Sequence, residues 1–258
     1  ELTPAVIKKA GFSDINKVKI YGYGGNLQPE SIHAEYLKQT DDLKQVEQCI
    51  IDGKHLFYAK GPVSYASKNA TTRTRNPYSN YGYYFITQND EETLTVDATA
   101  FVESFENSNE DYHALYEVDG YAWFHGGRNF VDPNPIANGA SRKFTLKNIP
   151  GNTQATAFVS VSAGNNTNVQ VEFNDSVVGN ISIRCGEYDK GNVGSLTFTA
   201  KNLKDENEVK ITTLKDGPSR LDYICLTYQN PRPATTLAGN TFPAAQYVHN
   251  ITNQNRHA

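Results

Sequence analysis

The chain has 258 residues, with 24 Lys and Arg residues against 28 Asp and Glu residues and a formal net charge of -4. This balance provides no basic field for a polyphosphate backbone, so nucleic acid is not an expected partner. The apolar runs are far shorter than the roughly 20 residues that a membrane helix needs, so no transmembrane segment is expected.

The composition favours β-structure. The chain contains 16 Tyr and 12 Phe residues, and its hydrophobic share is only 38%, which is typical of half-exposed sheets rather than helix bundles. The three cysteines, Cys49, Cys185 and Cys225, are too few and too scattered for a disulfide framework. Methionine is absent even at position 1, which indicates a mature or shortened chain.

Residues 1–95 are predicted to form a small α/β module. Thr3 is a good N-cap, Pro4 suits the first helical position, and Gly11 can end the helix. A strand over 18–21 then leads into the glycines of 22–25, which indicate a tight turn rather than a phosphate loop because no GxGxxG pattern follows. The remaining predicted elements are a helix over 41–48 and strands over 56–58 and 83–87.

Residues 96–235 are predicted to form an antiparallel β-sandwich of jelly-roll or galactose-binding-like type. Its aromatic-rich lead-in, over 101–117 and 120–127, is predicted to be helical or irregular. Beyond Ser141 the chain shows short alternating runs separated by Gly, Asn and Asp, which predict a sandwich. These runs are 144–146, 157–161, 169–173, 177–183, 196–198, 209–211 and 224–228, and residues 236–258 are predicted to be an extended tail.

No complete catalytic, metal or cofactor motif is found in the sequence. His125-Gly126 and Cys185-Gly186 each follow an apolar run, as in caspase-like peptidases, but they lie among sandwich strands rather than an alternating α/β sheet. We therefore expect Cys185 to be a small buried residue and His125 a loop residue. We predict no catalytic residue, no metal ligand and no cofactor in this chain.

The aromatic cluster Tyr121, Trp123 and Phe124 is the candidate site. Exposed aromatic faces stack on sugar rings, and jelly rolls are common carbohydrate-binding scaffolds. The favoured interpretation is that these side chains pack in the core or between two domains. A large aromatic side chain buries much apolar area at small entropic cost. The three residues are thus predicted to contact either a ligand or a neighbouring domain.

An ordered set of segments resembles the region ahead of the catalytic domain in gingipain-type cysteine peptidases, in particular the type IX secretion system sortase subgroup. Tyr247 to His257 is similar to the stretch that precedes the first strand of the peptidase domain in such proteins. The other segments are Val18-Lys-Ile-Tyr-Gly-Tyr-Gly-Gly25 with Pro29-Glu30, Asp41-Asp42-Leu43, Leu56-Phe-Tyr-Ala-Lys-Gly-Pro62, Asn76-Pro-Tyr-Ser-Asn80 with Tyr83-Tyr-Phe85, and Leu221-Asp-Tyr-Ile224.

The resemblance implies a non-catalytic amino-terminal region of a larger exported protein. The catalytic domain, with its His-Gly and Cys motifs, is expected to begin after Ala258, so no catalytic residue is carried over. The implied partners are that peptidase domain and secreted protein cargo, and the intact protein would cleave carboxy-terminal sorting signals. The implied location is extracytoplasmic: periplasmic, outer-membrane-associated or at the cell surface.

Two other functions remain open from the sequence. The sandwich pattern and the aromatic cluster also suit a cell-surface carbohydrate-binding module, in which Trp123 would stack on a sugar. A free-standing cysteine peptidase using His125 and Cys185 is the third hypothesis.

Overall fold

The computed structural model describes residues 1–96, 107–237 and 240–242. The chain divides into two compact units, and the described structure is mainly antiparallel β, so the predicted fold class is confirmed. The predicted division into consecutive domains of 1–95, 96–235 and 236–258 stays a prediction, because compactness alone does not test independent folding. The first unit comprises Glu1–Ser64, Thr74–Ser108 and Pro233–Ala258, and the second comprises Tyr65–Arg73 and Asn109–Arg232.

The first unit opens with the predicted helix, α1, over Pro4–Lys9. The hydroxyl of Thr3 accepts a hydrogen bond from the backbone N–H of Val6 at 3.3 Å and caps the first turn. Gly11 follows the helix with φ of 86°, a conformation that favours glycine.

Antiparallel strand pairs make up the sheets of the first unit. Strands β1 and β6 pair with each other, as do β2 with β3 and β4 with β5. The predicted strands over 18–21, 56–58 and 83–87 correspond to β1, β3 and β6. The full set is β1 Val18–Gly24, β2 Gln48–Ile51, β3 Lys54–Phe57, β4 Val63–Ser64, β5 Thr74–Arg75 and β6 Tyr83–Gln88. A small core joins α1 to this sheet through the buried residues Leu2, Ile7, Val18 and Ile20.

The predicted helix over 41–48 is wrong. The segment runs extended along β1: the N–H of Gly22 donates to the carbonyl oxygen of Lys44, and the N–H of Val46 donates to that of Ile20. Pairing with the strand edge satisfies these backbone groups and overrides the local helical spacing. The helix, α2, lies earlier, over Ala34–Thr40, and none of its residues is buried, so no apolar periodicity marked it in the sequence.

The second unit is a sandwich of two four-stranded antiparallel sheets. One sheet has the order β11-β10-β13-β8 and the other the order β12-β9-β14-β7. All the strands predicted beyond Ser141 are present. The strands are β7 His113–Glu117, β8 Ser141–Lys147, β9 Gln154–Ala163, β10 Thr167–Phe173, β11 Ser176–Ile183, β12 Asn192–Lys201, β13 Glu206–Lys215 and β14 Ser219–Thr227.

Alternation along the strands places one face of each sheet in a shared core. In β10, Val169, Val171 and Phe173 are buried while their neighbours are half-buried. Val159 and Ile224, which pair across β9 and β14, are buried on the facing sheet. The resulting core is continuous across both sheets.

The lead-in to the sandwich contains a strand that the sequence interpretation missed. Residues 113–117 were expected to be helical or irregular, but they form β7, which pairs with β14 at the edge of its sheet. A 3₁₀ turn over Asn109–Tyr112 precedes it. Ala114 and Tyr116 face the core, but only two apolar positions alternate within so short a strand, which gives a weak period-2 signal. The part of the predicted lead-in over 101–106 lies outside the described residues.

The described part of the C-terminal segment forms a short hairpin of β15 Thr235–Leu237 and β16 Asn240–Phe242. The rest of the predicted tail, 243–258, lies outside the described residues. Among the helices that the structure describes, none has the length and apolar character to cross a membrane.

Candidate functional site

The predicted aromatic cluster is largely built into the second unit. Tyr121 pairs with Val131 through two backbone hydrogen bonds, of 3.0 and 2.9 Å. The rings of Tyr121 and Trp123 meet edge to face with centroids 5.5 Å apart. The indole N–H of Trp123 donates to the hydroxyl of Ser162 at 2.8 Å. Both rings are therefore fixed by local contacts.

Arg220 and two glycines complete the surroundings of Trp123. The Arg220 guanidinium lies 3.7 Å from the Tyr121 ring centroid and 5.7 Å from the Trp123 centroid. A Cβ atom at Gly164 would lie 2.7 Å from the indole, and one at Gly191 would lie 2.5 Å from it. The indole thus occupies space that any other residue at these two positions would need.

Phe124 differs from its two neighbours because 65% of its surface is exposed. The structure brings Tyr121 and Trp123 together and leaves Phe124 at the surface. Their predicted role in contacting a ligand or a neighbouring domain stays a prediction.

An open pocket of about 570 Å³ lies at one end of the sandwich. It is formed by the loops between β9 and β10, between β11 and β12, and between β13 and β14. Its lining is rich in amide and carboxylate side chains. The lining residues are Gly164, Asn165, Asn166, Cys185, Gly186, Glu187, Asp189, Lys190, Asp216 and Gly217.

A buried ionic cluster lies on the second unit and was not predicted. Arg73 donates through Nε to the carboxylate of Glu117 at 3.0 Å, and its Nη2 also contacts Glu117 and, at 3.4 Å, Asp222. The guanidinium lies 3.9 Å from the ring centroid of Tyr223. Ser160 donates to the other oxygen of Asp222 at 2.7 Å. The Glu117 side chain is fully buried and that of Arg73 is 18% exposed, so this charge pair is largely removed from water.

Arg73 ends the segment Tyr65–Arg73 of the second unit, and the start of that segment is held by stacked aromatic rings. Tyr65 lies on the ring of His113, with centroids 3.6 Å apart and an interplanar angle of 5°. Both ring nitrogens of His113 face backbone carbonyl oxygens. Nδ1 lies 2.6 Å from the carbonyl oxygen of Asn109, and Nε2 lies 2.7 Å from that of Ala70. Burial lowers the pKa of His113 and outweighs the opposite effect of these two carbonyls. Burial also raises the pKa of the nearby Cys225 thiol to about 11.

The first unit carries exposed aromatic side chains on β6 and on the loop before it. Tyr83 and Phe85 are 65% and 62% exposed, and they share a face of the strand because they are two residues apart. Tyr81 contacts Tyr83, with ring centroids 6.2 Å apart. Tyr78, in the preceding loop, is 73% exposed. We refer to these four residues as the aromatic surface of the first unit.

The thiol of Cys185 lacks the environment that an activated nucleophile needs. Its Sγ donates to the carbonyl oxygen of Ala163 at 3.4 Å, and partial burial raises its pKa. A catalytic thiol requires the opposite shift. His125 is an exposed loop residue with φ of 56°, and its ring contacts Tyr121. Cys185 is half-buried rather than fully buried as expected. Over the described ranges, no group of three or more His, Cys, Asp or Glu residues could hold a metal ion.

Comparison with solved structures relates this fold to dimeric latent PorU from Porphyromonas gingivalis. The TM-score is 0.67 at 24% identity, over 89% of this chain and 23% of that one. The chain thus spans about a quarter of the length of the PorU chain. It shares the fold of that part of PorU, so the predicted resemblance to PorU-like proteins is confirmed at the level of the fold.

Other structures match only parts of the chain. The CBM36-1 domain of a multidomain xylanase from the hindgut metagenome of Trinervitermes trinervoides matches 44% of this chain with a TM-score of 0.30 and 10% identity, over 95% of that domain. A family 35 carbohydrate-binding module from an environmental isolate matches 48% with a TM-score of 0.35 and 16% identity, over 90% of that module. Similarities this remote carry no argument about a ligand. No protein-family model matches the sequence, and no curated protein matches it.

Proposed function

We propose that the chain is the non-catalytic amino-terminal region of a larger exported gingipain-like cysteine peptidase of the type IX secretion sortase subgroup. In this role it supports or positions the peptidase domain or its protein substrate. The observation that carries the proposal is the fold shared with PorU over 89% of this chain and only 23% of that one. The corresponding location is extracytoplasmic: periplasmic, outer-membrane-associated or at the cell surface.

The state of the three thiols supports a non-catalytic role for this region. Cys49 and Cys225 are buried, and burial raises the pKa of both. Cys185 is more accessible, but its pKa is raised as well. A thiol with a raised pKa is mostly protonated at neutral pH and is a poor nucleophile. The peptidase chemistry is therefore assigned to a separate domain of the intact protein.

The aromatic surface of the first unit is the proposed contact with the peptidase domain. Tyr78, Tyr83 and Phe85 belong to the segments that carry the sequence resemblance, yet they are largely exposed here. The first unit does not use them to form its core. Clustered exposed aromatics are typical of interaction surfaces, because they bury a large area at small entropic cost.

The intact protein can be tested directly. An antibody against this chain would capture the native protein from source cells, and a thiol-directed covalent peptidase inhibitor would then label it. We expect a polypeptide much longer than 258 residues, labelled at a cysteine other than Cys49, Cys185 and Cys225. Capture of a protein no longer than this chain, or labelling of Cys185, would overturn the proposal.

A second experiment tests the contact surface. In the intact protein, the double substitution Tyr83→Ser and Phe85→Ser is expected to weaken cargo cleavage and to raise hydrogen exchange in the peptidase domain. Val177→Ser is the matched control, because Val177 is 59% exposed but lies on the second unit. Equal behaviour of the two variants would refute this surface as the contact.

The alternative function, a cell-surface carbohydrate-binding module with Trp123 as its stacking platform, is less well supported. Trp123 packs closely on Gly164 and Gly191, and its N–H is bonded to Ser162. A sugar ring stacked on the indole would compete with these contacts. Glycan binding that disappears in Trp123→Ala while the fold is retained would favour this alternative.

A further inference from the structure

The pocket at the loop end of the sandwich presents polar groups that the fold does not use. Among the described residues, the side chains of Asn165, Glu187 and Asp216 have no hydrogen-bond partner, and all three residues are exposed. The volume of about 570 Å³ lies within the range of roughly 300–1,000 Å³ that is usual for small-molecule sites. Amides and carboxylates side by side match the paired hydroxyl groups of a sugar ring, which both donate and accept hydrogen bonds.

An exposed aromatic residue lies next in sequence to residues that line this pocket. Tyr188 is 85% exposed and lies between the lining residues Glu187 and Asp189. Because so little of Tyr188 is buried, its ring contributes little to the packing of the fold. A flat, exposed ring beside hydrogen-bonding groups offers the two components of saccharide recognition, an apolar face for the C–H side of the sugar and polar partners for its hydroxyls.

The loops that carry these groups are held in place. The N–H of Cys185 donates to the side chain of Asn166 at 2.9 Å, and the N–H of Gly186 donates to that of Asp189 at 3.2 Å. The N–H of Gly191 donates to the carbonyl oxygen of Ala163 at 3.1 Å. Behind the pocket, Trp123 packs against Gly164 and Gly191. The site is therefore largely preformed, which lowers the entropic cost of binding.

The charge of the lining restricts the ligand. Glu187, Asp189 and Asp216 bring three carboxylates to the pocket, and Lys190 brings its one ammonium group. This excess of negative charge repels uronic acids and sulfated sugars and accommodates neutral or amino-bearing ones.

We propose that this pocket binds a neutral or amino-bearing saccharide, with Tyr188 as the stacking platform and Asn165, Glu187 and Asp216 as hydrogen-bonding partners. The site is independent of a supporting role beside a peptidase domain. It gives the second unit a capacity to hold a glycan of the cell surface or of a cargo protein.

The test uses the full 258-residue chain on an array of immobilised neutral, amino-bearing and uronic-acid-bearing oligosaccharides. Retention on the neutral or amino-bearing sugars and not on the acidic ones is expected. The dissociation constant is then measured by calorimetry with the retained oligosaccharide as the probe. Retention on the acidic sugars alone, or on none at millimolar sugar, would overturn the proposal.

Variants locate the site. Tyr188→Ala is expected to weaken binding of the probe at least tenfold, and Glu187→Gln severalfold, without a change in thermal stability because both side chains are exposed. Tyr78→Ala is the matched control: its ring is 73% exposed but belongs to the first unit, so binding should be unchanged. Equal affinity of Tyr188→Ala and the parent chain would refute the assignment.

Discussion

The buried pair of Arg73 and Glu117 leads to the sharpest stability prediction. Replacing Arg73 with Leu keeps an apolar stem but leaves the fully buried Glu117 carboxylate without its cation. Breaking a buried ion pair on one side costs about 3–5 kcal/mol. The lost contact between the guanidinium and the ring of Tyr223, 3.9 Å away, adds about 0.5–1 kcal/mol. The two losses together predict that Arg73→Leu lowers the free energy of unfolding by about 3.5–6 kcal/mol.

The assay is urea unfolding followed by tryptophan fluorescence. The chain has a single Trp, and Trp123 lies in the second unit, so its signal reports the unit that contains the ion pair. The double variant Arg73→Leu with Glu117→Gln should recover much of the loss, because a neutral amide costs less to bury than an unpaired carboxylate. As a control, Lys143→Ala breaks the exposed pair with Glu208 and should leave the urea midpoint unchanged. A loss in Arg73→Leu no larger than that of the control would refute the reasoning.

Three further predictions concern other parts of the fold. Burial lowers the pKa of His113, so protonation favours the unfolded chain, and the urea midpoint should fall as the pH drops below the unfolded pKa of about 6.5. Gly82→Ala should destabilise the first unit by about 1–3 kcal/mol, because the new Cβ would clash with the backbone oxygen of Lys60. Hydrogen exchange of β6 measures this loss. Phe173→Ala should lower the free energy of unfolding by about 3–5 kcal/mol, since it empties a buried core site.

Each of these has its own control. A His113→Asn variant should lose the additional pH dependence, and a midpoint that rises on acidification would mean that the two carbonyl acceptors outweigh burial. Gly126→Ala should be neutral, because no heavy atom lies within 4 Å of its new Cβ, and a neutral Gly82→Ala would contradict the packing. Val177→Ala is the control for Phe173→Ala. Val177 is 59% exposed, so this substitution should change the free energy of unfolding by less than about 0.5 kcal/mol.

The strands of the sandwich could be predicted because their alternation is strong and local. In β10 every second residue is buried, and that period of two is visible in the sequence. The opening helix was also predictable, since Thr3, Pro4 and Gly11 are local signals of its two ends.

The errors arose where distant backbone contacts decide the structure. Residues 41–48 have helical spacing, but pairing of Lys44 and Val46 with β1 holds them extended. Helix α2 has no buried residue, so no amphipathic pattern marked it. The strand β7 is defined by its pairing with β14, which lies about a hundred residues later in the sequence.

The candidate sites were the least predictable feature. Arg73 meets Glu117 across 44 residues and Asp222 across 149 residues, and no sequence spacing relates them. The loop-end pocket combines three separate loops, whose approach follows from the sheet order. Trp123 and Tyr121 were found because aromatic residues are distinctive, but the glycines that accommodate the indole could be recognised only in the structure.

The most direct test of the proposed function is to read the native coding sequence beyond Ala258. The account predicts that it continues into a peptidase domain with its own His-Gly and Cys motifs. A stop codon directly after Ala258, or a continuation without a peptidase domain, would contradict it.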